Sequence, residues 1–268
     1  MKKDKITLKF TLLVILIILL NFQSKATSTL DSLKAEINKD LKWFNNTRDH
    51  ELVDSIIMDD LEERLKKNLL KLLTFKEMAN LNLKEFPNLK LDASTNDSLK
   101  IRFYSFGYLS GATGYEYKTT IIQWQNKNGK LFSYAISSKI GGTIGQISKL
   151  KPNLYLLRAQ DSSTTNLYVI QFKGDFLILN YPAFIRSPNI KLDHMDITFN
   201  PKTQTLLIAS YPEVGLNTYD LLQSMRYHSE TNPSYKKIIT MFENFFNNCK
   251  DEYNCSLRLK FTGLKFIE

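Results

Sequence analysis

The residues best suited to chemistry lie in a glycine-dense stretch, GYLSGATGYEY at 107–117, which sets Ser110 and Thr113 among three glycines. A nucleophile elbow needs the spacing Gly-x-Ser-x-Gly, but here Ser110 is followed directly by Gly111. A phosphate-binding loop needs Gly-Lys-Ser/Thr opening a helix, whereas this stretch leads into the strand-like YKTTIIQW. The spacing therefore argues against both sites. A second glycine-rich stretch, KIGGTIGQIS at 139–148, fails the same tests.

The three histidines, His50, His194 and His228, are scattered along the chain. His194 has Asp193 and Asp196 beside it, but one histidine and two aspartates supply too few ligands for a metal site. Neither HExxH nor HxH occurs. We therefore expect no metal and no cofactor.

Carboxylates offer a further kind of chemistry. Paired carboxylates can act as acid and base when they are buried together, and a glycosidase needs two of them roughly 5–10 Å apart. Candidates in or beside predicted turns are Asp161, Asp175, Asp193, Asp196 and Glu213. A second acidic group, Asp59, Asp60, Glu62 and Glu63, is expected to form the solvent face of a helix, paired with Lys66 and Lys67 one turn on.

The first 26 residues have the pattern of a secretory signal. The apolar run FTLLVILIILL occupies 10–20, and Ser24 and Ala26 supply small residues before the cleavage point. Its positive n-region contains Lys2, Lys3, Lys5 and Lys9. A retained anchor is the alternative, but a membrane-spanning helix needs roughly 20 apolar residues. We predict cleavage, a mature chain starting near Thr27, a periplasmic or extracellular location and no permanent membrane span.

Charge and cysteine content restrict the partners and the compartment. Removing 1–26 takes away five lysines and one aspartate, so the formal net charge falls from +9 to +5. This surplus favours weak attraction to anionic surfaces, and without a basic run interleaved with aromatics we expect no nucleic-acid partner. The two cysteines, Cys249 and Cys255, lie close together in CKDEYNC. In an exported protein this pair is predicted to form a disulfide.

Residues 28–80 have helical periodicity. Leu30, Leu33, Ile37, Leu41 and Phe44 fall on one face of the first pattern. A second pattern follows the short break NNT. Its apolar stripe contains Leu52, Ile56, Leu61, Leu65, Leu69 and Leu72. The sequence therefore predicts a helical hairpin within an N-terminal segment, 27–86.

After Pro87 the chain changes to short aromatic and β-branched runs that are typical of antiparallel strands. Hairpin turns are predicted at 126–130, 173–175, 200–204 and 262–263. The fold class is therefore α+β: an N-terminal helical hairpin followed by an antiparallel β-meander over 87–268, forming a sandwich or a curved sheet. A propeller is the alternative. The turn spacing is too uneven for regular blades, so it would have to be a degenerate one. A C-terminal helix is predicted at 235–246, before the cysteine loop.

The stretch DSLKIRFYSFGYLSGATGYEYKTTIIQWQNKNGK, 97–130, resembles a family of uncharacterised exported bacterial proteins with a strand, a Gly-Gly-Thr-type loop, a second strand and an Asn-Gly hairpin. The C-terminal LRLKFTGLKFIE matches more loosely. Phe106 stands where that pattern has tryptophan, and GATG replaces the Gly-Gly-Thr core. The resemblance implies a secreted β-rich protein and assigns no catalytic residue.

These features favour a non-catalytic exported binding or structural module. Tyrosines beside a glycine-rich loop suit contact with glycans, peptides or envelope proteins, because the ring is apolar and the hydroxyl is polar. Candidate ligand contacts are Tyr104, Tyr108, Ser110, Thr113, Tyr115 and Tyr117. Strand alternation would bury two of the four tyrosines. The alternative function is a hydrolase of envelope or extracellular polymers that uses the dispersed carboxylates.

Overall fold

A computed structural model describes residues 29–44, 55–109, 116–136, 142–161, 164–179, 181–184, 189–193, 195–210, 226, 243 and 256–267. The predicted signal, the disulfide at Cys249 and Cys255, and the predicted helix at 235–246 (except position 243) lie outside these residues.

Two helices begin the described chain, as the periodicity predicts. Helix α1 spans 29–44 and helix α2 spans Ser55–Leu72, and two short 3₁₀ turns follow at Lys76–Asn80 and Leu83–Glu85. The apolar stripes are buried at Leu33, Ile37, Leu41, Phe44, Leu61, Leu65, Leu69 and Leu72. Burial of these side chains joins the two helices and holds them against a β-sheet.

The remaining elements are antiparallel strands in three sheets. Sheet A contains β1 (Lys90–Ser94), β2 (Arg102–Leu109), β3 (Glu116–Gln125) and β4 (Leu131–Ala135). Sheet B contains β5 (Thr143–Lys151), β6 (Leu154–Asp161), β7 (Thr164–Lys173), β8 (Phe176–Ile178) and β9 (Asn189–Asp193), the last paired with β7. Sheet C contains β10 (Met195–Asn200), β11 (Thr205–Ser210), β12 (Ser256–Phe261) and β13 (Phe266–Ile267).

Alternation along the strands stacks these elements in layers. On β2, Tyr104 and Phe106 pack against the helices, while Phe103 faces the opposite way into a core shared with sheet B. On β6, Tyr155 and Leu157 belong to that shared core, and the neighbouring Leu154 and Leu156 pack against sheet C. The order is therefore helices, sheet A, sheet B, sheet C. This confirms the predicted α+β fold and extends the sandwich by one layer.

The four predicted hairpin turns are all present. They join β3 to β4, β7 to β8, β10 to β11 and β12 to β13. Gly129 and Gly174 lie at the first two with φ of +80° and +63°, a conformation that glycine adopts without steric cost. Strands β1, β5 and β9 were not predicted as strands.

Because the meander runs up and down, the strand connections collect at two ends of the stack. We call residues 95–101, 126–130, 151–153, 173–176, 200–204 and 262–265 the turn end. Asn126 Nδ2 donates to Asp175 Oδ1 at 2.8 Å, and Lys151 Nζ donates to the Gly263 carbonyl at 2.6 Å. These bonds align the three sheets at this end. The opposite, loop end consists of the strand ends that lead into 110–115, 137–141, 162–163, 194 and 211–255.

Candidate functional site

A polar cluster lies between sheets A and B and extends from the middle of β1 to the loop-end termini of β3 and β5. It begins on β1, where the pairing shifts between Leu91, opposite Tyr104, and Ala93, opposite Phe103. Asp92 is the extra residue of this β-bulge. Bulges redirect a side chain that regular alternation would place elsewhere.

Asp92 Oδ1 accepts two hydrogen bonds from neighbouring strands. Ser105 Oγ on β2 donates at 3.0 Å, and Lys118 Nζ on β3 donates at 3.2 Å. Ser105 is fully buried, and the side chains of Lys118 and Asp92 are 12% and 6% exposed. A charged pair taken this far out of water requires both partners, because either one alone would be a costly buried charge.

Lys118 also connects the two sheets. Its Nζ donates at 3.0 Å to Thr143 Oγ1, the first residue of β5. A second β-bulge lies in β5 just after Thr143, where the pairing with β6 shifts between Ile144 and Gln146. We call Asp92, Ser105, Lys118 and Thr143 the Asp92 cluster.

The other carboxylate oxygen of Asp92 is unsatisfied. Asp92 Oδ2 is buried and has no hydrogen-bond partner among the described residues. The other buried side-chain atoms of the described residues that have no hydrogen-bond partner belong to amide or indole groups, so Asp92 is the charged case. A buried carboxylate oxygen without a donor is costly, so it has the capacity to accept an N–H or O–H from a water or a ligand.

This cluster stands beside the two glycine-rich stretches that the sequence singles out. Lys118 pairs with Gly107 at the start of the first stretch, and Thr143 lies in the second, just after Gly142. Because Lys118 reaches Thr143, the strand ends of sheets A and B that carry these stretches coincide at the loop end. The fold therefore brings together two segments that are separate in sequence.

The arrangement suits binding better than nucleophilic catalysis. Ser105 and Lys118 both donate to the same oxygen of Asp92, so neither acts as a base toward the other. A serine nucleophile needs a base that accepts its proton and donors for the developing oxyanion. All three histidines lie outside the described residues.

The predicted contact residues divide into three groups. Tyr104 is 2% exposed and packs between the helices and sheet A, where burial raises its pKa to about 12. Its place in the contact surface is therefore wrong, because strand alternation turns it into the core. Tyr108 and Tyr117 are directly paired positions on β2 and β3, and their side chains lie outside the described part. Ser110, Thr113 and Tyr115 also lie outside it.

The dispersed carboxylates are spread over the molecule. Asp175 is exposed at the turn end, and Asp196 is exposed on sheet C. The register places the backbones of Asp161 and Asp193 on either side of Thr164, and Glu213 lies outside the described residues. In helix α2, Asp59, Asp60 and Glu63 are exposed as predicted, while Glu62 is half-buried and accepts a hydrogen bond from Thr119.

A second polar cluster lies between the same two sheets at the turn end. Asp97 Oδ1 accepts from Thr95 Oγ1 at 3.0 Å and from the Leu99 N–H at 3.2 Å. Its Oδ2 accepts from the Tyr155 hydroxyl and lies 3.2 Å from Lys149 Nζ. Burial acts to raise the pKa of Asp97, but these donors outweigh it and hold that pKa below its usual value. We call Asp97, Thr95, Tyr155 and Lys149 the Asp97 cluster.

A cleft of about 470 Å³ lies beside the helical hairpin. Trp43, Ile57 and Asp60 line it together with Arg64 and Asp40. Arg64 donates to both carboxylate oxygens of Asp40, at 2.9 and 2.7 Å. The buried carboxylate of this cleft is therefore already satisfied, unlike that of Asp92.

Sequence reasoning did not identify Asp92, Lys118 or Thr143. The partners come from strands 26 and 25 residues apart, so no local spacing connects them. The available signal was weak: a lone aspartate in KLDAS and a lysine directly after the first glycine-rich stretch.

Comparisons of the chain with protein-family models, curated proteins and solved structures each find no match. Within the described ranges, no group of three or more His, Cys, Asp and Glu side chains is arranged to hold a metal ion. No helix in the same ranges is both long and apolar enough to cross a membrane.

Proposed function

We propose that this chain is an exported, non-catalytic binding or structural module of the cell envelope or extracellular space, and that its ligand site is the Asp92 cluster, which reaches the loop end through Lys118 and Thr143. One observation carries the proposal. Asp92 Oδ2 is buried without a partner among the described residues, beside a paired lysine and two hydroxyls and next to the strand ends that carry the glycine-rich stretches. Binding residues are disproportionately placed on loops that a rigid scaffold holds in position.

The chemistry of the cluster suggests a ligand rich in hydroxyl or amide groups. Asp92 Oδ2 requires a donor, while Thr143 and the third N–H of Lys118 can meet an acceptor. A glycan or a peptide backbone supplies both donors and acceptors within a few ångströms. A simple cation suits the site less well, because Lys118 already places a positive charge against the same carboxylate.

A binding screen tests the proposal. The wild-type chain is applied to glycan and peptide arrays, and hits are measured in solution with Asp92→Asn and with Asp97→Asn as the matched control. We expect Asp92→Asn to weaken binding by about tenfold or more, because a hydrogen bond to a charged group contributes about 1.5–3 kcal/mol. Asp97→Asn should leave the affinity nearly unchanged, since it lies at the other end of the strands.

Two results would count against a ligand at this site. One is a hit that Asp92→Asn and wild type bind equally. The other is the absence of any hit together with loss of stability in Asp92→Asn, which would assign the cluster a structural role with water on Asp92 Oδ2.

The export part of the proposal rests on residues 1–26 and the cysteine pair. Mass spectrometry of the chain recovered from an expressing bacterium should find an N-terminus near Thr27. Alkylation before and after reduction should modify Cys249 and Cys255 only after reduction. An intact N-terminus or two free thiols would contradict export or the disulfide, respectively.

A further inference from the structure

The turn end is rich in lysines that take no part in the proposed ligand site. Its six connections contain seven lysines and two aspartates, a difference of +5. The lysines are Lys100, Lys127, Lys130, Lys151, Lys173, Lys202 and Lys265. Residues of the turn end therefore carry an excess of positive charge that equals the +5 of the whole chain without its first 26 residues.

This charge is available to a partner. Six of the lysines are exposed, and the exception is Lys151, which is half-buried and bonded to the Gly263 carbonyl. The two aspartates are engaged within the protein. Asp97 is surrounded by donors, and Asp175 accepts from Asn126. Because two carboxylates stand against seven lysines, the potential at this end is positive in sum.

Large apolar side chains protrude at the same end. Phe176 is the first residue of β8, directly after the β7–β8 turn, and Leu264 lies in the β12–β13 turn; they are 75% and 63% exposed. Ile178 and Ile267 follow on the adjoining strands, 37% and 50% exposed. Isolated exposed apolar residues are common on proteins. Here Phe176 and Leu264 stand at hairpin tips among exposed lysines, which is the composition of a surface that contacts lipid.

We propose that the turn end docks on an anionic lipid bilayer. The lysines would meet headgroup phosphates, each contributing about 1 kcal/mol near such a surface. Phe176 and Leu264 would enter the boundary between headgroups and acyl chains, where apolar side chains leave water. A soluble polyanion would offer these two side chains no apolar partner, so charge and apolar exposure together favour a bilayer.

Docking in this way is compatible with the proposed ligand site but does not depend on it. Strand β3 has ten residues, so the stack is about 30 Å long between its ends at roughly 3.3 Å per residue. A chain held by its turn end would keep Lys118 and Thr143, the loop-end members of the Asp92 cluster, on the side away from the bilayer. Short hairpins that pair in register present the contact residues with little ordering cost.

Vesicle co-sedimentation tests the proposal on the chain recovered after export. Vesicles of phosphatidylcholine are compared with vesicles that also contain phosphatidylglycerol. We expect at least about tenfold tighter binding to the anionic vesicles, weakening as salt rises because exposed charges are screened. The chain is used after mass spectrometry has shown that 1–26 are removed, because the apolar run at 10–20 would itself insert into both kinds of vesicle and hide differences between the variants.

Two sets of substitutions separate the contribution of the lysine charges to vesicle binding from that of the inserted apolar side chains. Lys127→Gln with Lys173→Gln and Lys202→Gln should weaken binding by about tenfold or more, and Phe176→Ser with Leu264→Ser by about tenfold. The matched control is Ile57→Ser with Lys67→Gln, an exposed apolar residue and an exposed lysine on α2, and it should bind as wild type does. Circular dichroism confirms that each variant is folded.

Three results of the vesicle assay would overturn the proposal. These are equal binding to neutral and anionic vesicles, no loss of binding in either turn-end variant, and a control variant that loses as much as they do. Tight binding to soluble polyphosphate that is unaffected by Phe176→Ser with Leu264→Ser, without vesicle binding, would assign the surface to a polyanion and also overturn it.

Discussion

The interface between sheets A and B contains two clusters with the same chemical groups. They differ in whether both oxygens of the aspartate carboxylate accept hydrogen bonds. Each cluster has an aspartate whose carboxylate lies 3.2 Å from a lysine Nζ, together with side-chain hydroxyls. At the turn end both oxygens of Asp97 accept hydrogen bonds. Near the loop end, the described donors reach only one oxygen of Asp92.

The difference follows from where each aspartate stands in its element. Asp97 lies in a turn, so the backbone N–H of Leu99, two residues on, is free to donate to it. Asp92 lies in a strand bulge, and its donors within the described ranges are side chains. In the turn, a backbone N–H adds to the side-chain donors, so both oxygens of Asp97 accept hydrogen bonds. In the strand bulge, Asp92 Oδ2 has no donor among the described residues. We therefore interpret the Asp97 cluster as structural and the Asp92 cluster as the ligand site.

Removing each aspartate in turn should separate the two clusters most clearly. We expect Asp92→Ala to lower the free energy of unfolding by about 3–5 kcal/mol, because Lys118 would be left as a nearly buried charge without a partner. Asp97→Ala should cost less, about 1.5–3 kcal/mol, because the main loss is the hydrogen bond from Tyr155, and the pair with Lys149, which is 47% exposed, adds only about 0–1 kcal/mol. Urea unfolding measures both.

A double variant checks the cause. Asp92→Ala with Lys118→Met removes the uncompensated charge and should recover much of the lost stability. Equal destabilisation in the double variant and in Asp92→Ala would show that packing, not charge, dominates at this position.

Removing one hydroxyl from each cluster should have a smaller effect. Tyr155→Phe deletes a donor to Asp97, and Ser105→Ala deletes a donor to Asp92. Hydrogen bonds to charged groups contribute about 1.5–3 kcal/mol, so both variants should fall in that range. We expect Ser105→Ala to lie at the upper end, because Asp92 would keep Lys118 alone, and thermal unfolding at matched pH compares them. A negligible change in Ser105→Ala would contradict the importance of that bond.

The stability that Asp97 contributes at the turn end should depend on pH in the acid range. The pKa of this carboxyl is lowered in the folded state, so its contribution is present above the unfolded-state pKa of about 4 and is lost as pH falls through the lower folded-state pKa. Unfolding free energies of wild type and Asp97→Asn should therefore converge from about pH 5 toward about pH 2. A difference that is constant over this interval would exclude ionisation of Asp97 as its source.

Glycine substitutions should give the smallest contrast between the two ends. Gly174 in the β7–β8 turn has φ of +63°, so Gly174→Ala should cost about 1 kcal/mol through backbone strain. At Gly145, in the β5 bulge, φ is not positive and a methyl group would meet no atom within 4 Å. Gly145→Ala should therefore stay within about 0.5 kcal/mol of wild type. Denaturant midpoints resolve the two, and a larger loss at Gly145 would show that the bulge requires glycine.

Prediction from sequence succeeded where structure depends on neighbours along the chain. The stripes that contain Ile37 and Leu65 were recognised because helical burial repeats every three or four residues. Strand β5 was missed because its pairing shifts twice, between Ile144 and Gln146 and between Lys149 and Lys151, which breaks the two-residue alternation that indicates a strand. Strand β1 was missed because KLDAS contains little apolar character.

Local sequence was enough to establish the class of this protein: helices first, then an antiparallel meander whose tight turns follow from backbone requirements at positions such as Gly129 and Gly174. Tertiary packing was needed to place sheet B between sheets A and C, and to show that Tyr104 is core. It was also needed to show that Lys118 meets both Asp92 and Thr143. Contacts between sheets depend on packing across long sequence separations, and no local pattern of residues encodes them.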